Sequence, residues 1–484
     1  MKKFILIRTK HGNTYYYNVP MQRLMYLHPI EAFLADNLIN PNEISLDKLY
    51  SSYDKQYNEE EINCCVLHYS LLYQKGYFNS DTYTISSFRD FITASEIQDS
   101  LANCPVLVIE TTERCNLACG YCIYGNSYSS FSKRVGAEIN PEMSIAMVDY
   151  MIEQWNSLKN QSPLDTKYVG FYGGEPLLNF KLIKEVVLYI ENKAKELNLT
   201  YNIQHSITTN GLLLPQYIDF LAEHNFQILI SLDGGEDDNA ARVFPNGDES
   251  FNKLIDNIKT VQKKYPSFFT NNVSFNAVYN HYSDYSRLDS FFKANSYNYK
   301  LSELNPQLDS GVDNYMYKSL KSTLSRSAYE KFEFNDYNRE IFDSYTCDIH
   351  NSFLDFASPN RGEILLTGTC MPFSRKIFLT AQGLLLPCET IPHVHALGRV
   401  TQNGDINIDF NRCAEYYSTY YQRLAKSCMK CYNIRNCKMC FFLNMKDETR
   451  MCPQFMTKAS FSNYLAKYIE YYEDQNIRSF SDTH

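Results

Sequence analysis

VLVIETTERCNLACGYC, residues 106–122, runs a continuous apolar segment into three closely spaced cysteines. Val106–Glu110 has the unbroken hydrophobicity of a strand covered on both faces, and Cys115, Cys119 and Cys122 follow it on a loop with the spacing C-x3-C-x2-C. Outward from this stretch the same pattern recurs. Tyr168–Tyr172, Ile203–Thr208, Phe226–Leu232, Val273–Tyr279 and Tyr297–Leu304 read as further strands. Amphipathic periodicity predicts helices near Pro141–Leu158, Phe180–Leu197, Pro215–His224, Phe251–Tyr265, Asp284–Ala294 and Asn314–Ser325. Six such units imply an α/β fold with a parallel sheet under helices. Six rather than eight fit a partial (β/α)6 TIM-like barrel, and such barrels carry their chemistry at the strand ends.

The flanks read differently. In residues 1–100, Lys3–Lys10 and Thr14–Val19 are strand-like and are joined by the turn His11-Gly12-Asn13. Asn58, with Glu61 three residues on, opens a helix to about Gln74, with Ile62, Val66, Tyr69 and Tyr73 on one face. Strands and helices in so short a span suit a winged-helix-like module. The expected division is therefore 1–100 for this module, 101–330 for the barrel, 331–366 for a connection and 367–484 for a cysteine-rich domain. In the last part, Arg375–Thr380 and Leu384–Pro387 flank Ala381-Gln382-Gly383 as a hairpin, and Phe455–Tyr472 reads as a closing helix. The segment Ser427–Cys452 is too short to own a hydrophobic core, so bound clusters are expected to hold it together.

Composition excludes several classes. The 46 basic and 55 acidic residues give a formal charge of −9 over 484 residues, the wrong sign for a chain that lives on phosphate backbones. No run of 18 apolar residues is present, so no membrane helix is expected. The first residues lack a secretory apolar core, and a cytoplasmic location follows as an expectation. Fifteen cysteines, an odd number and strongly clustered, point in a reducing compartment to metal or catalysis rather than disulfides. Cys64 and Cys65 on the N-terminal helix, and Cys104, read as core residues.

Three thiolates cannot close a structural tetrahedral zinc site. They do suit a four-iron cluster that keeps one iron open for a small molecule, with zinc as the alternative. The triad, with Tyr121 before its last cysteine, resembles the radical S-adenosylmethionine (SAM) superfamily. The resemblance implies a [4Fe-4S] cluster on Cys115, Cys119 and Cys122 that chelates SAM, cleaves it reductively to a 5′-deoxyadenosyl radical and so abstracts hydrogen from substrate. The protein's share in such chemistry is positioning and shielding. Gly173-Gly174-Glu175-Pro176, at the end of the second strand, matches the family's Gly-Gly-Glu-Pro pattern. The glycines permit close backbone approach, and the carboxylate of Glu175 suits the SAM ammonium. Tyr121 resembles the residue beside the adenine. Thr208 and Asn210 resemble segments lining the pocket, with ordinary strand-end turn chemistry as their alternative. Ser231 and Arg242 are candidates for the methionine carboxylate.

Farther on, Cys370, Gly383-x4-Cys388, Cys428-x2-Cys431-x5-Cys437-x2-Cys440 and Cys452 resemble the SPASM extension, which holds two auxiliary four-iron clusters. The usual pattern has three residues between the fifth and sixth cysteines; here there are two, Lys438 and Met439. A zinc ribbon on the two C-x2-C pairs is the competing reading, and it leaves Cys370, Cys388 and Cys452 without a role. The resemblance implies an outer cluster on Cys428, Cys431, Cys437 and Cys452, and an inner one on Cys370, Cys388 and Cys440. The fourth inner ligand stays open between Cys347, Cys413 and a substrate atom. Glu389, directly after Cys388, is a candidate proton acceptor, or else a hydrogen-bonding glutamate.

A small module ahead of such a body resembles the leader-recognition element of ribosomal peptide maturases, which binds a precursor leader as an added strand. Tyr15, Tyr16 and Tyr17 are candidates for that groove. The expected function is therefore a radical SAM peptide maturase that installs a thioether, C–C or ether crosslink, or another modification. It would act on a ribosomally made precursor, with a reductant such as flavodoxin or ferredoxin. The alternatives are an anaerobic sulfatase-maturating-type enzyme forming formylglycine, and a non-enzymatic Fe-S peptide-binding or electron-transfer protein.

Overall fold

The computed structural model describes residues 4–19, 23–78, 88–131, 133–305, 364–434, 437, 439–444, 452 and 455–474. The N-terminal module is a three-stranded antiparallel sheet, β1 (Phe4–Arg8), β2 (Thr14–Asn18) and β3 (Arg23–Leu27), in that spatial order. It is followed by α1 (Pro29–Asp36), α2 (Leu46–Tyr53) and α3 (Glu59–Gln74). Asn58 caps α3 in a reciprocal capping box with Glu61, as the sequence predicts. The third strand and the first two helices are additions to that reading. Cys65 lies in the module's core while Cys64 is exposed, so only one of the pair packs as expected.

Strand alternation sends Tyr16 to one face of the sheet and Tyr15 and Tyr17 to the other. Tyr16 packs with Leu34, Tyr69 and Phe78, and Tyr15 and Tyr17 pack against Phe461, Leu465 and Ile469 of the last helix. All three tyrosines are at most 1% exposed, so they are core residues and not a peptide groove. This corrects the expectation, and the reason is that the module's sheet is covered on both sides.

Two short elements, β4 (Phe88–Arg89) and α4 (Ala94–Ala102), lead into the main body. Ile92, Ile97 and Leu101 belong to its core, which therefore starts ahead of residue 101. The strands β5 (Val106–Thr112), β6 (Thr166–Gly173), β7 (Asn202–Thr209), β8 (Gln227–Ser231), β9 (Val273–Tyr279) and β10 (Tyr299–Glu303) pair in parallel in sequence order. The intervening helices are α5 (Pro141–Asn156), α6 (Phe180–Glu196), α7 (Leu214–Glu223), α8 (Phe251–Lys264), α9 (Pro266–Asn272) and α10 (Tyr285–Ala294). The six predicted strands and five of the predicted helices stand within a few residues of their expected bounds. The helix expected over Asn314–Ser325 lies outside the described residues, and the short α9 was not foreseen. On α6, Leu182, Ile183, Val186, Val187 and Ile190 are buried, the single stripe that helical spacing dictates.

After β11 (Ile364–Leu365), which pairs with β4, the strand β12 (Ile377–Leu379) returns beside β5 and runs parallel to it. It turns through Ala381-Gln382-Gly383 into β13 (Leu384–Leu386), the predicted hairpin, and antiparallel β14 (Gly398–Val400) and β15 (Ile406–Ile408) follow. The cysteine-rich segment thus grows from an extension of the barrel sheet itself. Beyond it lie α11 (Phe410–Cys428), α12 (Phe441–Asn444) and α13 (Lys458–Asp474).

Candidate active site

A cavity of about 790 Å³ opens at the C-terminal ends of the parallel strands, where this architecture places its chemistry. Cys115, Cys119 and Cys122 line it, together with Gly173, Gly174, Thr208, Asn210, Ser231 and Arg242. The loop after β5 and the ends of β6, β7 and β8 therefore meet at one place. No three His, Cys, Asp or Glu side chains among the described residues converge on a single-ion position. A four-iron cluster distributes its thiolate ligands over separate irons, and three thiols lining one cavity are a donor set that fits such a cluster with one iron left open. Burial pushes the Cys119 thiol up to about 11, with the Arg242 guanidinium opposing the rise.

Glu175 is fully buried and does not face the cavity. Its carboxylate accepts from Thr209 Oγ1 at 2.7 Å, from the Asn210 amide at 2.7 Å and from the Leu177 amide at 3.1 Å. Burial raises its pKa, and these donors work against the rise. Its observed work is thus to join the ends of β6 and β7, while the backbone of Gly173 and Gly174 faces the ligand space. These glycines also permit a close approach. A Cβ on Gly174 would meet the Arg114 carbonyl oxygen at 2.2 Å, because the Glu175 amide donates to that carbonyl at 2.8 Å.

Tyr121, buried at 8% exposure, donates to Asp233 Oδ2 at 2.6 Å and accepts from Arg242 Nη1 at 2.8 Å. Burial raises the Asp233 carboxyl, and Arg242 opposes it. The Arg242 Nε is buried with no hydrogen-bond partner among the described residues, an unused donor on the cavity wall. Such a guanidinium, with the Ser231 hydroxyl also on the wall, suits a carboxylate. Asn210 donates to Asn116 Oδ1 at 2.7 Å and stands 3.9 Å from Cys115 Sγ, fixing the start of the cysteine loop.

The cavity is lined as well by Tyr124, Arg134, Tyr172, Asn305, Thr390 and Leu443. Thr390 and Leu443 lie just beyond Cys388 and Cys440, so the C-terminal region contributes to its wall. Glu389 is held by Lys376, whose Nζ donates to its two carboxylate oxygens at 2.9 and 3.0 Å. Burial raises the Glu389 carboxyl, yet the lysine beside it leaves it below the ordinary value. It is an ionised glutamate with a committed partner, adjacent to the cavity rather than on its wall.

Cys428, Cys431, Cys437 and Cys452 line one small pocket, the grouping expected for the outer cluster. Cys370 and Cys440 lie within electrostatic reach of each other, and Lys376 faces both Cys370 and Cys388. Cys413 does not join them: its thiol donates to the Leu397 carbonyl at 3.2 Å from within α11. Cys347 lies outside the described residues.

Sequence reasoning gave no role to Glu110, Arg134 and Tyr124, and took Asp233 only as part of the pocket-lining strand end Ser231-Leu232-Asp233-Gly234. The available signal was a charge at the end of an apolar run, Glu110 on β5 and Asp233 after β8. Arg134, on a polar loop, carries no such mark.

Among known proteins, residues 109–282 match the model of the radical SAM superfamily. The radical SAM cyclopropyl synthase TigE of Paramaledivibacter caminithermalis is 25% identical over 251 residues, covering 50% of this chain and 46% of that protein. The serine-type anaerobic sulfatase-maturating enzyme of Bacteroides thetaiotaomicron is 29% identical over 158 residues, 31% of this chain and 34% of the relative. The chain spans less than half the length of these relatives. The structure of anSMEcpe with bound AdoMet superimposes with a TM-score of 0.53 at 20% identity, over 78% of this chain and 98% of that one, which shows a shared fold. Residues 109–282, carrying the cysteine triad and the strand ends around it, belong to the radical SAM superfamily.

Proposed function

We infer that this chain is a radical SAM maturase that modifies a ribosomally made peptide. The observation that carries this reading is the shared lining of one cavity. The triad, the Gly173–Gly174 backbone, Ser231 and Arg242 line it together with Tyr124, Tyr172, Arg134 and residues beside Cys388 and Cys440. A volume of about 790 Å³ lies in the upper part of the roughly 300–1,000 Å³ range of ligand sites, which suits a cofactor and a substrate residue together.

When bound, a four-iron cluster and SAM supply one-electron chemistry and hydrogen abstraction. The chain's residues do the positioning. Cys115, Cys119 and Cys122 hold the cluster, Ser231 and Arg242 take the SAM carboxylate, and the Gly173–Gly174 backbone faces its amine. Tyr121, fixed between Asp233 and Arg242, sets the wall beside the adenine, and Thr208 and Asn210 complete it. Glu175 acts through Thr209 and Asn210 as a positioning residue. Glu389 is the candidate proton acceptor, and to act as a base it would have to leave Lys376, which holds its carboxylate below the ordinary value. Cys428, Cys431, Cys437 and Cys452 hold one auxiliary cluster, and Cys370, Cys388 and Cys440 hold a second. The leader of the precursor adds to the β3 edge, whose outer side pairs with no strand among the described residues. Backbone pairing would supply affinity there. The curated relatives include a serine-type anaerobic sulfatase-maturating enzyme, and a neighbouring structure is of anSMEcpe with AdoMet and the Kp18Cys peptide, at 19% identity. Among the described residues no helix is long and apolar enough to cross a membrane.

The test is anaerobic incubation of reconstituted protein with SAM, dithionite and peptides encoded beside its gene, followed by high-resolution mass spectrometry. A peptide loss of two hydrogens together with 5′-deoxyadenosine supports crosslinking. Unchanged mass with deuterium uptake from heavy water indicates epimerisation. Conversion of a Ser or Cys in a sulfatase-type peptide to formylglycine replaces this reading with the sulfatase-maturating one. No 5′-deoxyadenosine with any peptide overturns the enzymatic reading.

A further inference from the structure

The inner cysteine set lies beneath an aromatic face of α11. Tyr417, Tyr420 and Tyr421 pack on Phe441, the residue after Cys440, with ring centroids 5.4, 4.6 and 5.5 Å apart. Packing alone would be served by phenylalanine. Tyr421 is nevertheless fully buried with a hydroxyl that meets no hydrogen-bond partner among the described residues. Leaving such a group unpaired in a core is costly, so its retention points to an acceptor. The ionisable groups near enough to act on this hydroxyl are Cys370, Cys440 and Arg89, so ligand sulfurs of the inner set lie on its side of the core.

We propose that the Tyr421 hydroxyl donates a hydrogen bond to a sulfur of the cluster held by Cys370, Cys388 and Cys440, and thereby raises that cluster's reduction potential. The inference rests on the reading of these cysteines as cluster ligands. Reduction places extra negative charge on the sulfurs, so a donor stabilises the reduced form more than the oxidised one. The nearby cations already carry partners. Lys376 is paired with Glu389 at 2.9 Å, and Arg89 with Glu96 at 2.5 Å. Tyr421 is thus a neutral donor in a dry, charge-balanced wall, where a single hydrogen bond counts for more than it would in water.

The experiment uses the full-length chain carrying Cys115→Ala, Cys119→Ala and Cys122→Ala, so that only auxiliary clusters remain. Potentiometric titration followed by EPR compares Tyr421 with Tyr421→Phe. The expected result is that one of two couples moves to lower potential, the other stays, and iron content is unchanged. Pulsed ENDOR of the reduced, unmutated holoenzyme in heavy water should show an exchangeable deuteron coupling that Tyr421→Phe lacks. Unchanged potentials at full iron content, or no such coupling in the unmutated holoenzyme, overturn the proposal. Should Tyr421→Phe lose iron, 3-fluorotyrosine placed at position 421 keeps the packing and, as a stronger donor, should move the same couple to higher potential; no movement overturns the proposal. Iron well below about eight per chain in the triad background would instead show that the ligand reading itself fails.

Discussion

Arg134 Nη1 stands 2.6 Å from Glu110 Oε1, and its guanidinium carbon lies 3.3 Å from the centre of the Tyr124 ring. Glu110 is wholly buried, and its second oxygen accepts from the Ala381 amide at 2.8 Å. The pair therefore ties the loop beyond the cysteine triad to β5 and to the β12–β13 turn. Breaking a buried pair by removing one partner costs about 3–5 kcal/mol, because the other charge is left uncompensated. Arg134→Gln is expected to destabilise by about that amount, while Glu110→Gln with Arg134→Gln restores most of it. Thermal unfolding of the two variants checks this. Equal loss in both would mean that the charge pairing is not what holds the loop.

The Gly174 position tests the strand-end geometry. A methyl group there would overlap the Arg114 and Glu113 carbonyl oxygens at 2.2 and 2.7 Å, both backbone atoms that cannot swing away. Gly174→Ala should cost about 1–3 kcal/mol by overpacking. It should also displace the cysteine loop, lowering SAM affinity about tenfold in anaerobic calorimetry. Full SAM affinity in a destabilised variant would separate the glycine's packing role from the ligand site.

Much of this site was legible because its signals are local. Continuous apolar runs defined β5 to β10, and the cysteine spacings and Gly173–Glu175 stand close together in the chain. What was not legible depends on distant partners. Glu175 has a carboxylate suited to an ammonium, but only the fold shows Thr209 and the Asn210 amide occupying it. Tyr15 and Tyr17 read as groove residues because nothing near them in sequence hints at Phe461 and Leu465 packing over them. Arg134 has no pattern of its own, and its importance arises from Glu110, 24 positions earlier.

Removing the triad separates the two cysteine regions. Cys115, Cys119 and Cys122 face the strand-end cavity, whereas Cys428, Cys431, Cys437 and Cys452 line a pocket of their own. Replacing the first three with alanine should lower iron from about twelve to about eight per chain and abolish 5′-deoxyadenosine formation. Continued SAM cleavage in that variant would move the SAM site elsewhere.

His205 gives the stability a pH dependence away from the clusters. It lies on β7, 3% exposed, with Nδ1 lacking a hydrogen-bond partner among the described residues. Burial lowers its pKa from 6.5 to about 4, although Glu191 pulls the other way. Between those values the unfolded chain binds the proton that the folded chain refuses. Its contribution is therefore present above 6.5 and lost as pH falls toward 4. At 1.36 kcal/mol per pKa unit, acidification from pH 7.5 to 5.5 should cost about 1 kcal/mol more in the native sequence than in His205→Phe. Parallel denaturant curves at the two pH values measure the difference, and equal losses would show that the fold leaves the His205 pKa at its unfolded value.

The N-terminal module is held to the rest of the chain by α13, and this joint can be loosened selectively. Phe461 is fully buried, 5.4 Å from the Tyr17 ring, and Leu465 and Ile469 continue the same face. At the far end of the helix, Glu470 accepts from the Lys10 amide at 2.7 Å and Glu473 from the Tyr15 hydroxyl at 3.0 Å. The charged pairs at the turn are exposed and worth little individually, so the apolar contact dominates. Phe461→Ala should cost about 3–5 kcal/mol at this joint. Among the described residues the parallel sheet meets this core through Leu301 on β10, so hydrogen exchange should quicken in β1 to β3 and stay unchanged in β5 to β9. If the module docks a leader peptide, the same variant should keep SAM cleavage while losing peptide turnover. Equal loss of both would mean that α13 supports the barrel site directly rather than the placement of the module.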